Sequence, residues 1–202
     1  MGLLDDWLDT FESVLTGPTE YFRSEERRDG FGYSLKFAVI SLVIAAIFNA
    51  ARAGFVSPTP LSQVLPFGGS AVVALGVLVI SPIVGVVSLL LWSGLVHIFV
   101  SLLGGEAGYS ETLAVFEYAS ALTPVTALLS LVPVVGGLVN LVLWIYGLYI
   151  QASGLQEYQG LSEWRAVGAI ILPALVLGAV VVLAAITMGA VFASMMQTAP
   201  VQ

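Results

Sequence analysis

The sequence contains no cysteine and a single histidine, His97. The lack of cysteine excludes disulfides, thiolate metal sites and cysteine nucleophiles. One histidine cannot form a His-x-x-x-His metal site, and no aspartate lies in any long apolar run, which excludes the paired aspartates of an intramembrane protease. The sequence therefore predicts no metal site and no cofactor.

Charge is also scarce, since 9% of the residues are charged whereas 58% are apolar. This composition indicates an integral membrane protein in contact with a lipid bilayer. The net charge of −7 comes mostly from the first thirty residues. This negative charge argues against a nucleic-acid or anionic-lipid partner, and it is typical of proteins from a salt-adapted cell.

Long apolar runs predict an all-α polytopic fold, with five transmembrane helices in one bundle at 31–202 and an N-terminal segment at 1–30. The second run is too long for an upright helix and contains Pro82. We expect one long helix that is kinked or tilted there, and a re-entrant first half is the alternative. The runs are Leu35–Ala51, Ala71–Leu103, Thr112–Leu131, Gly137–Ser153 and Ala166–Ala193.

Basic residues cluster before or at the start of the first run, as Arg23, Arg27, Arg28 and Lys36. Because lysine and arginine favour the cytoplasmic side, we expect a cell-membrane protein with its N-terminus inside and its C-terminus outside. The connection 57–69 would then be external. It carries Pro58, Pro60 and Pro66, which predict an irregular or interfacial segment.

The stretch LLDDWLDTFESVL predicts an amphipathic helix that ends at Gly17-Pro18. Its apolar arc includes Leu4, Trp7, Leu8 and Phe11, which would be the docking residues for a protein partner at the cytoplasmic face. The alternative is a helix that lies on the membrane surface or packs under the bundle.

Two predicted cytoplasmic loops resemble each other, with GYSET at 108–112 and GLSEW at 160–164. Ser110 and Ser162 are expected to cap helix starts, while Glu111 and Glu163 face the positive end of the helix dipole. An anion site at the paired helix N-termini is the alternative, with Arg165 as its cation.

Glu117 lies about 9 Å below the predicted cytoplasmic boundary, at about 1.5 Å per residue. His97 lies at the same depth on the preceding crossing, and a short loop joins the two helices. We therefore expect Glu117 and His97 to pair, either to hold the helices together or as part of a proton relay. On the last helix, Ala185, Gly189 and Ala193 predict a bundle or oligomer interface.

Residues 97–173 resemble the membrane domain of the Yip family, the Ypt/Rab-interacting multi-pass proteins. The matching features follow a common order and spacing, although no single one of them is specific. They are His97, Gly104, Gly105, Tyr118, Ala119, Pro124, Pro133, Gly136, Gly154, Glu157, Gly160, Ser162, Arg165, Ala166 and Pro173.

The resemblance implies five membrane helices, a cytoplasmic N-terminal region and, in eukaryotes, small-GTPase binding and vesicle traffic. The N-terminal segment lacks the Asp-Leu-Tyr-Gly-Pro signature of the eukaryotic proteins and has only Gly17-Pro18 and Tyr21-Phe22. We therefore expect a prokaryotic-type member that acts as a non-enzymatic scaffold. A small transporter or channel that uses His97 and Glu117 is the alternative, and an enzyme with His97 as a base comes third.

Overall fold

The computed structural model describes residues 2–24, 31–56 and 69–197. Within these ranges the chain forms eight α-helices and no strand. A π-helical turn at Arg52–Val56 continues the third helix. The helices are α1 Leu3–Thr16, α2 Pro18–Arg23, α3 Phe31–Ala51, α4 Gly69–Leu102, α5 Tyr109–Ala119, α6 Leu122–Leu129, α7 Pro133–Gln159 and α8 Glu163–Gln197.

Five segments are long and apolar enough to cross a membrane, which confirms the predicted all-α, five-crossing fold. The second crossing is α4, a single helix of 34 residues with Pro82 inside it. The prediction of one long helix is therefore confirmed. The crossings lie at Gly32–Phe55, Gly69–Leu102, Tyr109–Leu129, Gly136–Gln159 and Glu163–Gly189.

The third crossing differs from the single helical run that the sequence predicts, because it consists of two helices, α5 and α6. The Ser120 N–H is shared between the carbonyls of Phe116 and Glu117, at 3.2 Å from each. Pro124 explains the break, since it has no N–H and its ring would clash with the carbonyl of residue 120 in a continuous helix.

The bundle is packed most tightly at one end, where the loops at 103–108 and 160–162 join the crossings. We call this the loop end, and the opposite end the far end. α5 contacts α3, α4 and α7 there, and α8 contacts α4 and α7. Toward the far end α8 is exposed on every side between residues 174 and 189, so Ala185 and Gly189 face outward.

The N-terminal helices α1 and α2 pack against the crossings, because Trp7, Val14 and Phe22 belong to the same core cluster as the bundle. α1 ends before Gly17-Pro18, which confirms the predicted end of the amphipathic helix. Arg27, Arg28 and the proline-containing connection at 57–68 lie outside the described residues.

Candidate functional site

A hydrogen-bonded network at the loop end joins α4, α5 and α7 through Thr112. His97 Nδ1 lies 2.9 Å from Thr112 Oγ1, and Gln159 Nε2 donates to the same hydroxyl at 2.9 Å. The Thr112 hydroxyl therefore contacts a polar group of each neighbouring helix, the imidazole of His97 and the amide of Gln159. Thr112 is fully buried, whereas His97 is half-buried.

Gln159 also holds the loop between the second and third crossings. Its Nε2 donates to the Gly108 carbonyl at 2.9 Å, its Oε1 accepts from Ala107 N at 3.1 Å, and its carbonyl accepts from Glu106 N at 3.1 Å. The side chain is almost fully buried. Gln159 therefore forms the hydrogen bonds that these backbone N–H and C=O groups of the loop cannot form within a helix.

Glu117 is fully buried, and neither carboxylate oxygen has a hydrogen-bond partner among the described residues. Ser34 of α3 interacts with it, but the two groups do not form a hydrogen bond of ordinary geometry. The predicted hydrogen bond or charge pair between Glu117 and His97 is therefore wrong. Glu117 lies five residues beyond Thr112, which places it about 140° around α5 from the residue that His97 contacts.

An aromatic cluster surrounds α2 where it contacts the bundle. The Tyr21 ring lies 5.1 Å from the Tyr118 ring, and Phe22 packs edge-on against Tyr158 at 5.3 Å. Phe37 of α3 contacts Tyr118 at 5.7 Å. Burial and the neighbouring Tyr118 raise the pKa of Tyr21 above its ordinary range, so this phenol stays neutral in the folded protein.

Two of the residues that carry the family resemblance hold α2 in place. Gly154 provides the space into which Val115 and Phe22 pack. One turn along the same helix, Glu157 Oε1 accepts from Arg23 Nη2 at 2.7 Å and from Arg23 Nε at 3.1 Å. This ion pair raises the pKa of the Arg23 guanidinium.

The two loops contain several more of the predicted residues. Gly104 adopts a left-handed conformation at a φ of 91° next to Arg165, and Gly105 N donates to the Val100 carbonyl at 2.8 Å. These positions form the sharp turn after α4.

The predicted cap by Ser110 is wrong. The N-cap position of α5 is Gly108, which makes no side-chain cap bond, and Ser110 Oγ donates to Glu111 Oε2 at 2.8 Å instead. Ser162 does directly precede α8, and its carbonyl accepts from Ala166 N at 2.9 Å. Pro124 is buried in the second half of the third crossing.

The predicted docking residues of α1 divide into two groups. Trp7 is buried and its Nε1 donates to Ser41 Oγ at 3.0 Å, and Phe11 packs on Trp7 at 4.8 Å. Leu4 and Leu8 remain 62% and 52% exposed. The two leucines are thus available to something outside the chain, whereas Trp7 fixes α1 to α3.

A cavity of about 730 Å³ lies between α4, α6, α7 and α8, and its lining is mainly apolar. It includes Trp92, Trp144 and Asn140 but neither His97 nor Glu117. Within the described residues, no group of three histidines or carboxylates is placed to hold a metal ion. The polar network of the loop end thus lies outside this cavity.

The roles of Gln159, Thr112 and Ser41 were not predicted from the sequence, although Thr112 and Ser41 are polar residues at or within an apolar run. Such residues indicate helix contacts in membranes, where polar side chains bond across helices. The partner of each could not be found from spacing alone, because it depends on which faces of the helices meet.

In a comparison with known families, the family model described as the Yip1 domain matches residues 13–186. The matched region covers most of the chain, from the last turn of α1 to the outer part of α8. The chain therefore belongs to the Yip family, and the predicted resemblance is confirmed. No curated protein and no solved structure matches it.

Proposed function

We propose that this Yip family protein is a non-enzymatic membrane scaffold that presents α1 and α2 to a protein partner. The observation that carries the proposal is the fixed position of these helices. Trp7, Val14 and Phe22 are buried in the bundle core, whereas the acidic residues Asp5 and Asp9 stay exposed. A rigid acidic helix face on a membrane anchor is a surface for a partner with a basic patch.

The polar network supports a structural role for the loop end. His97, Thr112 and Gln159 use their polar atoms on one another and on the loop backbone. The Thr112 hydroxyl is fully buried between His97 and Gln159, a position that joins three helices. We therefore assign this end of the bundle to support of the N-terminal helices.

The scaffold proposal includes a location and an orientation. Lys36 and Arg23 lie at the loop end, which favours a cytoplasmic position for that end in the cell membrane. Self-association through the exposed outer part of α8, near Ala185 and Gly189, is part of the same proposal.

The test compares the wild-type chain with a variant that carries Asp5→Asn, Asp9→Asn and Glu12→Gln. Each chain receives a photo-crosslinking residue at position 13, which lies one turn beyond Asp9 on the helix surface and is exposed. The scaffold proposal expects a discrete crosslinked partner in native membranes for wild type and its loss in the triple variant. The same crosslink in both proteins would show that the acidic face does not bind the partner.

A transporter is the second candidate, because the Glu117 carboxyl is buried with neither oxygen hydrogen-bonded among the described residues. Ionisable groups at membrane depth often mark a substrate or proton path. Proton and ion flux in proteoliposomes distinguishes the two candidates. Flux in wild type that Glu117→Gln abolishes, with the fold retained, would replace the scaffold proposal.

A further inference from the structure

The helix α1 lies across the bundle rather than along it. At its start Trp7 bonds to Ser41 of α3, and near its end the Leu15 carbonyl accepts from Tyr146 Oη of α7 at 2.7 Å. Ser41 lies ten residues from the start of α3 and Tyr146 thirteen residues before the end of α7. These offsets correspond to about 15 Å and about 20 Å from the loop end, at about 1.5 Å per residue.

One flank of α1 faces the loop end and is polar. Thr10 Oγ1 lies 2.8 Å from Tyr33 Oη, near the start of α3. Asp9, Thr10 and Ser13 also line a groove of about 440 Å³ against α2. Because α2 runs from α1 toward the loop end, with Thr19 beside Tyr149 and Arg23 beside Glu157, this groove opens on that side.

The opposite flank of α1 is apolar and faces the far end. At 100° per residue, Leu4, Leu8, Phe11 and Leu15 fall within an arc of about 60° that lies opposite Asp6 and Ser13. Leu4 and Leu8 are more than half exposed, and so are Ile47 and Trp144 on the crossings at or beyond the level of α1. The exposed leucines thus continue the apolar surface of the crossings.

We propose that α1 is an interfacial helix whose Leu4 and Leu8 flank inserts into the hydrocarbon edge of the bilayer. A helix in this position directs an apolar flank into lipid and keeps its charges at the headgroups. Trp144 and Tyr149 are exposed next to Tyr146 on α7, and tryptophan and tyrosine favour the same interfacial level. The occupant of the leucine flank is therefore lipid.

Anionic lipids would repel the acidic residues of α1, so attraction to such lipids does not hold this helix at the membrane surface. Packing against the bundle holds it instead, because Trp7 and Val14 are buried there. We therefore expect α1 to stay at the surface of neutral bilayers, such as phosphatidylcholine vesicles.

The position of α1 also indicates where the bilayer surface lies on this face of the bundle. Carboxylates are excluded from hydrocarbon, so the exposed Asp5 and Asp9 place the lipid headgroups at the level of α1.

The natural absence of cysteine makes the test direct, because single cysteines can carry a nitroxide label in the full chain. Leu8→Cys reports on the apolar flank, and its neighbour Asp9→Cys is the matched control on the acidic face. In phosphatidylcholine proteoliposomes, the label at position 8 should collide more with oxygen than with a water-soluble nickel chelate. The label at position 9 should show the reverse preference.

A second pair, Lys36→Cys and Val43→Cys on α3, locates the surface independently of α1. Both positions are exposed, and position 36 should be accessible to the nickel chelate and position 43 to oxygen. Nickel access at position 8 would overturn the proposal. Protection of position 8 from both reagents would also overturn it, because a protein partner or a second copy would then cover the leucines. Unchanged thermal stability of each variant shows that its fold is retained.

Discussion

The Cα atom of Gly154 faces the side chain of Val115 so closely that an added Cβ would lie 2.6 Å from Val115 Cγ1. The same Cβ would lie 3.0 Å from the Phe22 ring. Three elements, α2, α5 and α7, therefore meet at a position that has no room for a side chain. This contact explains why a glycine occupies an interior position of a long helix, where glycine is otherwise unfavourable.

We predict that Gly154→Ala destabilises the protein, because the β-branched side chain of Val115 and the aromatic ring of Phe22 must both shift. Overpacking of this kind costs about 1–3 kcal/mol. The free energy of unfolding in detergent micelles, or the melting temperature, measures the effect.

The matched control is Gly178→Ala on α8, where an added Cβ meets no described atom within 4 Å. Alanine should be neutral or slightly stabilising there, since it favours the helix. Equal destabilisation by the two substitutions would contradict the packing argument.

The attachment of α2 should depend on Phe22 far more than on Arg23. Phe22 is buried, at 2% exposure, and truncation of a buried phenylalanine to alanine costs about 3–5 kcal/mol. The Arg23 side chain is 70% exposed in its ion pair with Glu157, and exposed pairs contribute about 0–1 kcal/mol.

Limited proteolysis within residues 2–24 measures this attachment. Phe22→Ala should accelerate cleavage strongly, whereas Arg23→Gln should have a small effect that decreases further at high salt. A larger effect of Arg23→Gln at every salt concentration would show that the ion pair controls the docking of α2.

The fold was predictable to a large extent because it depends on local patterns. Apolar runs define the crossings, and the spacing of Leu4, Trp7, Leu8 and Phe11 by three or four residues, or one, defines α1 as amphipathic. Pairings between helices depend instead on rotation about each helix axis. Glu117 and His97 have matching depths, but His97 contacts Thr112, which lies on another face of α5. Depth alone therefore could not identify the partner.

Alkaline pH should destabilise the protein in part through Tyr21. Burial, together with Tyr118, raises the pKa of Tyr21 above its ordinary value of 10.0. Above that value the unfolded chain releases a proton that the folded protein keeps, so the unfolded state is favoured as pH rises. One such group contributes at most about 1.4 kcal/mol per pH unit.

The slope of stability against pH above 10 should therefore be smaller in Tyr21→Phe than in wild type. Tyr109→Phe, which removes a tyrosine on another side of the bundle, controls for the loss of a phenol. If Tyr21→Phe keeps the full wild-type slope, the buried phenol does not contribute to alkaline unfolding.

Double-mutant cycles should find energetic coupling between His97 and Thr112 but not between His97 and Glu117. The ring nitrogen of His97 contacts the Thr112 hydroxyl, so His97→Ala and Thr112→Val remove one shared interaction. Contacting pairs of this kind show coupling energies of about 0.5–3 kcal/mol, whereas independent sites are additive within about 0.5 kcal/mol.

His97→Ala and Glu117→Gln should be additive, because neither Glu117 oxygen has a hydrogen-bond partner among the described residues. Unfolding free energies of the single and double variants provide both cycles from one set of proteins. Coupling in the Glu117 cycle together with additivity in the Thr112 cycle would restore the histidine–glutamate pair and remove the network on which the structural role of the loop end depends.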